Sequence, residues 1–113
     1  PICDEKNTRV ENRVAGADTN PYIAFAAALA CGYLGMQQKL MPTEPLEGTA
    51  YDLPFGLPRS PERSVTLLRQ CPDLIEIMGE RFVDAYIAVK EKEYETYFGV
   101  ISSWEREFLL LNV

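Results

Sequence analysis

The 113-residue chain contains no histidine, which excludes a Ser-His or Cys-His nucleophile assembled from these residues alone. Its chemistry has to rest on carboxylates and arginines, or on groups supplied from elsewhere. Cysteine is scarce: Cys3, Cys31 and Cys71 are far apart, odd in number and without CxxC or zinc-ligand spacing. That pattern argues against a disulfide scaffold and fits a reducing, cytoplasmic setting. Positive charge is also in short supply, with 11 Lys and Arg against 17 Asp and Glu and a net charge of -6. Nucleic acid and anionic membrane surfaces, which call for clustered basic residues, are therefore disfavoured as partners. No apolar run reaches the roughly 20 residues needed to cross a bilayer. A secretory leader is not visible, and the first residue is Pro1 and not Met. The expectation from this is the C-terminal piece of a longer protein.

What is present is ordinary for a folded domain: hydrophobic residues make up 47% and charged residues 25%, and the length suits one unit with a modest core. Residues 9–14 read as an extended strand, whose period-2 alternation sets Arg9, Glu11 and Arg13 on one face and Val10, Asn12 and Val14 on the other. Gly16 breaks the run. Asn20 before Pro21 is a helix-start signature, because Asn accepts from free amides and Pro suits the first helical position. Residues 21–36 carry no charge and span about 24 Å as a helix. Such a helix is expected to be buried on nearly all sides, its alanines allowing close neighbours. A chain this short cannot easily cover it, so missing parts or a second subunit are implied. Pro42 is expected to end it.

Pro42, Pro45, Pro54, Pro58 and Pro61 with Gly48 and Gly56 make residues 41–60 an irregular loop. Ser60 before Pro61 repeats the cap signature, predicting a helix over residues 61–70 with Val65, Leu67 and Leu68 inward. Pro72 starts a short helix that Gly79 closes. Residues 80–98 form the longest periodic run, with Phe82, Val83, Tyr86, Ile87, Ala88, Val89 and Tyr94 near helical spacing. The aromatic series Tyr86, Tyr94, Tyr97 and Phe98 reads as core at that spacing. A last helix, capped by Ser102 or Ser103, has an apolar face from Trp104, Phe108, Leu109 and Leu110.

Two readings of the Arg9–Glu11–Arg13 face stand side by side on spacing. One is an ion-paired surface strand. The other is a carboxylate, held ionised between two cations, that offers one hard oxygen to a divalent metal while the guanidiniums offer forks to phosphate or carboxylate. Asp18 and Asn20 could also be ligands, with capping as the competing role of Asn20.

The run TRVENRVAGADTNPYIAFAAALACGYLG resembles the C-terminal catalytic segment of the glutamine synthetase superfamily, where an Arg-x-Glu-x-Arg strand precedes an Asn-Pro-Tyr helix start. FVDAYIAVKEKEYE and SSWEREFLLLNV resemble that family's last helices and C-terminus. The wording GADTNPY is closest to its glutamate-amine ligase branch, such as γ-glutamylpolyamine synthetase. The resemblance implies a mainly α piece, one N-terminal strand followed by about five helices, of an α+β catalytic domain. Within it, residues 1–16 are strand and turn, 21–40 a buried helix, 41–60 an irregular loop and 61–113 the helical end. By position, Glu11 matches a metal ligand, Arg9 the arginine on the nucleotide phosphates, and Arg13 the catalytic arginine facing the glutamate side-chain carboxylate. The implied cofactors are ATP with Mg²⁺ or Mn²⁺, and the implied substrates are glutamate and ammonia or a small amine. The implied setting is a cytoplasmic homo-oligomer in which this piece alone is inactive. Tyr51 lies where some relatives carry an adenylylated tyrosine, a regulation not expected in this branch. The competing reading is a non-catalytic helical packing or oligomerisation module.

Overall fold

The computed structural model describes residues 6–49, 51, 53–54 and 56–111. Cys3 and the start of the expected residue 1–16 strand and turn lie outside them. Among the described residues five helices follow one another: α1 (Pro21–Gln37), α2 (Pro61–Arg69), α3 (Pro72–Met78), α4 (Glu80–Phe98) and α5 (Ser103–Phe108). Where length alone suggests one unit, the backbone gathers into two, divided between Thr43 and Glu44 in the proline-rich loop.

In the first unit the expected strand is absent: residues 9–14 are neither strand nor helix, and no strand occurs among the described residues. The reason is that alternation marks a segment suited to a sheet without supplying one. A strand exists only when its amides and carbonyls meet a second strand, and the described residues offer no such neighbour. The mainly α expectation holds.

α1 begins as the residues dictate. The Asn20 side chain accepts from the backbone N–H of Tyr22 at 3.0 Å and of Ile23 at 3.4 Å, and Pro21 spares a third donor. Its end lies short of Pro42, at Gln37. There Lys39 takes a left-handed φ of 53°, its N–H reaches the Met36 carbonyl at 3.1 Å, and the Leu40 N–H reaches the Gly35 carbonyl at 2.9 Å. These paired bonds close the last turn as a Schellman motif, with lysine in the place glycine usually fills.

Burial on nearly all sides is not found for α1. Ala30 is its one buried residue, while Phe25 is 71% and Leu29 75% exposed. Among the described residues of its unit there is no second helix or sheet for the apolar surface to lie on.

In the second unit α2, α3 and α4 pack against one another. The seam runs along α4, where Val83 and Ile87 are each 2% exposed and Tyr86, Lys90 and Tyr94 are half-buried at the same helical spacing. Val65 and Leu68 of α2 share one face and are half-buried. Leu67, about 100° round the helix from Leu68, is exposed and does not point inward as expected. Phe82, Val89 and Ala88 also fall off the seam, and Tyr97 and Phe98 are exposed, so the aromatic series is not core as expected: Tyr86 and Tyr94 reach the seam half-buried and the other two do not. α5 is fixed by a capping box: Ser102 Oγ accepts from the Glu105 N–H at 3.1 Å, and the Glu105 carboxylate accepts from the Ser102 N–H at 2.7 Å. These bonds hold the Glu105 carboxyl below its ordinary range.

Gly79 alone joins α3 to α4. Its N–H bonds to the Ile75 carbonyl at 2.9 Å, and its own carbonyl accepts from Phe82 and Val83, each at 3.0 Å. It holds φ 90° and ψ 118°, a conformation that costs any residue with a Cβ. A methyl group added there meets no atom within 4 Å, so the penalty is in the backbone and not in packing. Gly79→Ala is expected to lower stability by about 1–3 kcal/mol, read as a reduced urea midpoint with unchanged slope. An unchanged midpoint contradicts this account of the α3–α4 junction.

Candidate functional site

The candidate site residues sit in the segment before α1, where the side-chain bonds of Arg9, Asn12 and Arg13 are local. Arg13 Nε donates to Glu11 Oε1, forming an ion pair two residues apart. Arg9 Nη1 donates instead to the Asn7 carbonyl at 3.1 Å. The structure therefore brings Glu11 and Arg13 together and turns the Arg9 guanidinium toward the backbone. Both side chains of the pair are accessible, 86% for Arg13 and 44% for Glu11, leaving them open to a ligand and their attraction screened by water.

Asn12 is turned to the main chain, its Oδ1 accepting from the Val14 N–H at 2.9 Å. Downstream, a turn closes between the Thr19 N–H and the Gly16 carbonyl at 3.2 Å. Asn20 is fully accounted for as the α1 cap. The role of Asn12 was not visible in the alternation, which ranked it only as the opposite face; the available signal was that Asn readily bonds the amide two residues on.

No group of three or more His, Cys, Asp or Glu side chains among the described residues is placed to hold a metal ion. A Mg²⁺ ion takes six oxygens in a near-ideal octahedron. Glu11 fits one such position as an exposed, anionic oxygen donor, and the remaining ligands have to come from substrate, water or other protein. Tyr51 is 98% exposed, its N–H bonded to Thr49 Oγ1 at 3.3 Å.

A second polar cluster lies between α2 and α4, in a recess lined by Glu62, Thr66, Arg69, Lys90, Glu91 and Tyr94 among others. Arg69 grips Glu91 with both terminal nitrogens, at 2.6 and 3.2 Å. The pairing raises the Arg69 pKa and lowers that of Glu91. Tyr94 is pushed upward, first by burial and then by the Glu62 carboxylate. Lys90 bonds Glu93 at 2.6 Å and lies 5.7 Å from the Tyr86 ring centre. The partners Arg69 and Glu91 are 22 residues apart, beyond any local spacing rule.

Comparison with known proteins places these features in a family. Residues 1–109 match the family described as glutamine synthetase, catalytic domain. Type-1 glutamine synthetase 2 of Dictyostelium discoideum is 39% identical over 108 residues, covering 90% of this chain and 21% of that protein. Glutamate–isopropylamine ligase of a Pseudomonas species is 37% identical over 101 residues, covering 86% and 22% respectively. Gamma-glutamylputrescine synthetase PuuA of Escherichia coli K12 is 36% identical over 115 residues, covering 99% and 24%. No solved structure matches. The chain is thus related to carbon-nitrogen ligases. It belongs to the glutamine synthetase catalytic-domain family, and it spans between 21% and 24% of the length of these three relatives. No helix among the described residues is long and apolar enough to cross a membrane.

The Arg69–Glu91 grip has a pH signature. Glu91 has its carboxyl lowered from the usual 4.5 by the Arg69 bond, so the stability it contributes is complete above that value and is lost as pH falls through its lower folded pKa. The raised Arg69 pKa matters only at strongly alkaline pH, beyond the ordinary arginine range. Amide protection in α2 and α4, taken relative to the intrinsic exchange rate at each pH, is expected to fall on acidification below about 4.5, and Arg69→Gln should remove much of that fall. Identical acid profiles for the two proteins contradict the assignment.

Proposed function

We propose that this chain supplies one wall of the active site of an ATP-dependent ligase that joins glutamate to ammonia or a small amine as a γ-glutamyl amide. The observation that carries the reading is the Glu11–Arg13 pair, accessible and flanked by Arg9, within a chain that matches the glutamine synthetase catalytic domain over residues 1–109. A carboxylate is a poor electrophile because its charge is delocalised and its oxygen leaves badly. Transfer of the terminal phosphoryl group of ATP to a γ-carboxylate oxygen, releasing ADP, converts that oxygen into part of a phosphate leaving group. The amine nitrogen then attacks the acyl carbon, phosphate departs and the nitrogen loses a proton.

Anionic reactants meet in the first step, so cationic groups are needed where charge concentrates. Arg9 is assigned to the nucleotide phosphates and Arg13 to the glutamate side-chain carboxylate during its phosphorylation. Glu11 is assigned as one ligand of Mg²⁺ or Mn²⁺. The divalent ion, when bound, neutralises phosphate charge and aligns the oxygens of the transfer. Partial coverage of the relatives supports inactivity of the isolated chain, with the remaining ligands supplied by the rest of a cytoplasmic homo-oligomer. Two relatives are named for isopropylamine and putrescine and another is a glutamine synthetase, which supports an acceptor drawn from ammonia and small amines.

A second reading, a helical packing module without catalysis, draws on the exposed apolar surface of α1. Phosphate release by the full-length protein separates the two. Glutamate, ATP and Mg²⁺ with ammonia, putrescine or other amines in turn are expected to give turnover dependent on one acceptor, and no release with any of them favours the packing module. In an active protein, Glu11→Ala or Arg13→Ala should leave the assembly intact and reduce kcat by about 100-fold or more. Near-normal turnover in either variant removes that residue from the site.

A further inference from the structure

We infer that Asn12 is a positioning residue for the Glu11–Arg13 pair, an assignment that rests on the ligase reading above. The pair lies in a segment that is not helical and has no strand neighbour among the described residues, so short-range bonds set its backbone direction there. Between residues 9 and 14 the described bonds are few. Arg9 reaches back to the Asn7 carbonyl, Arg13 reaches Glu11, and Asn12 Oδ1 accepts from the Val14 N–H at 2.9 Å.

Of these, the Asn12 bond is the one that closes over the main chain of a site residue. It spans from residue 12 to residue 14 and so restricts the torsions on either side of the Arg13 Cα. The Glu11–Arg13 bond cannot do this unaided, because it joins two long side chains with many rotamers, one of them 86% exposed. It also has to loosen if Arg13 turns toward a substrate carboxylate or Glu11 toward a cation. Asn12 keeps its partner throughout, since its acceptor engages an amide and neither charge. The side chain thus retains the spacing of the carboxylate and the guanidinium while their mutual bond is exchanged for ligand contacts. Leucine has nearly the same shape without the acceptor. Serine keeps an uncharged acceptor on a shorter arm, which makes the same kind of turn more weakly.

The experiment titrates Mn²⁺ into the full-length protein, following free Mn²⁺ by electron paramagnetic resonance, alongside kcat and KM for glutamate. Asn12→Leu is expected to weaken Mn²⁺ binding and to lower kcat/KM by about 2–10-fold, the range of a single ordinary hydrogen bond. Asn12→Ser should recover most of the loss. Unchanged Mn²⁺ affinity in Asn12→Leu, or equal losses in the leucine and serine variants, overturns the assignment. If the leucine variant does not fold, Asn12→Ala takes its place with the same outcomes. Glu11→Gln separates this inference from the one beneath it. If it weakens Mn²⁺ binding while Asn12→Leu does not, only the positioning role fails. If Glu11→Gln binds Mn²⁺ normally, the metal-ligand reading fails and the role of Asn12 goes with it.

Discussion

The second unit depends on one seam, the stripe of α4 on which α2 and α3 rest. Val83 and Ile87 are its deeply buried side chains, one helical turn apart, with Tyr86, Lys90 and Tyr94 continuing the line at partial burial. Burying a valine or isoleucine fully is worth about 1.5–3 kcal/mol each. A seam with so few such residues leaves the helices dependent on their end fittings. Proline starts α1, α2 and α3, Asn20, Ser60 and Ser102 cap their helices, and Gly79 closes one helix and opens the next. The side-chain caps satisfy amides that the apolar contacts leave unpaired, and each proline removes one. Across the seam, the Arg69–Glu91 grip fixes how α2 lies on α4, adding orientation to an interface whose apolar part is narrow.

The helix starts were legible because they are local. Asn20-Pro21, Ser60-Pro61 and Pro72 each predict a first turn from chemistry within three residues, and the structure begins its helices there. The bounds of α4 were equally clear from periodicity and from Gly79 and Gly99. What could not be read depends on neighbours. Alternation over residues 9–14 describes a strand-compatible segment, yet a strand is a relation between two segments and the described residues hold no second one. The uncharged α1 reads as buried because in most settings something covers such a surface. The Lys39 turn escaped notice because lysine seldom adopts a positive φ, so Pro42 looked like the stop.

The site was legible in a different sense. Spacing alone could not choose between a solvated ion pair and a ligand-binding face, and the structure shows a pair that is both bonded and accessible. Family membership, carried by residues 1–109, gives the second possibility its weight. The segment before α1 offers a carboxylate and guanidiniums, and the sequence holds no histidine.

The exposed face of α1 has a consequence in heat capacity. Hydration of apolar surface raises the heat capacity of a protein state, and covering it lowers that value. With Phe25, Leu29 and Met36 each more than 70% exposed, this helix holds in water an apolar area that a buried helix gives up on folding. Unfolding the chain as it stands therefore exposes little additional surface in this region. Any partner that seats on α1 will bind with a negative heat-capacity change, and the apolar part of its grip will weaken as the solution is cooled.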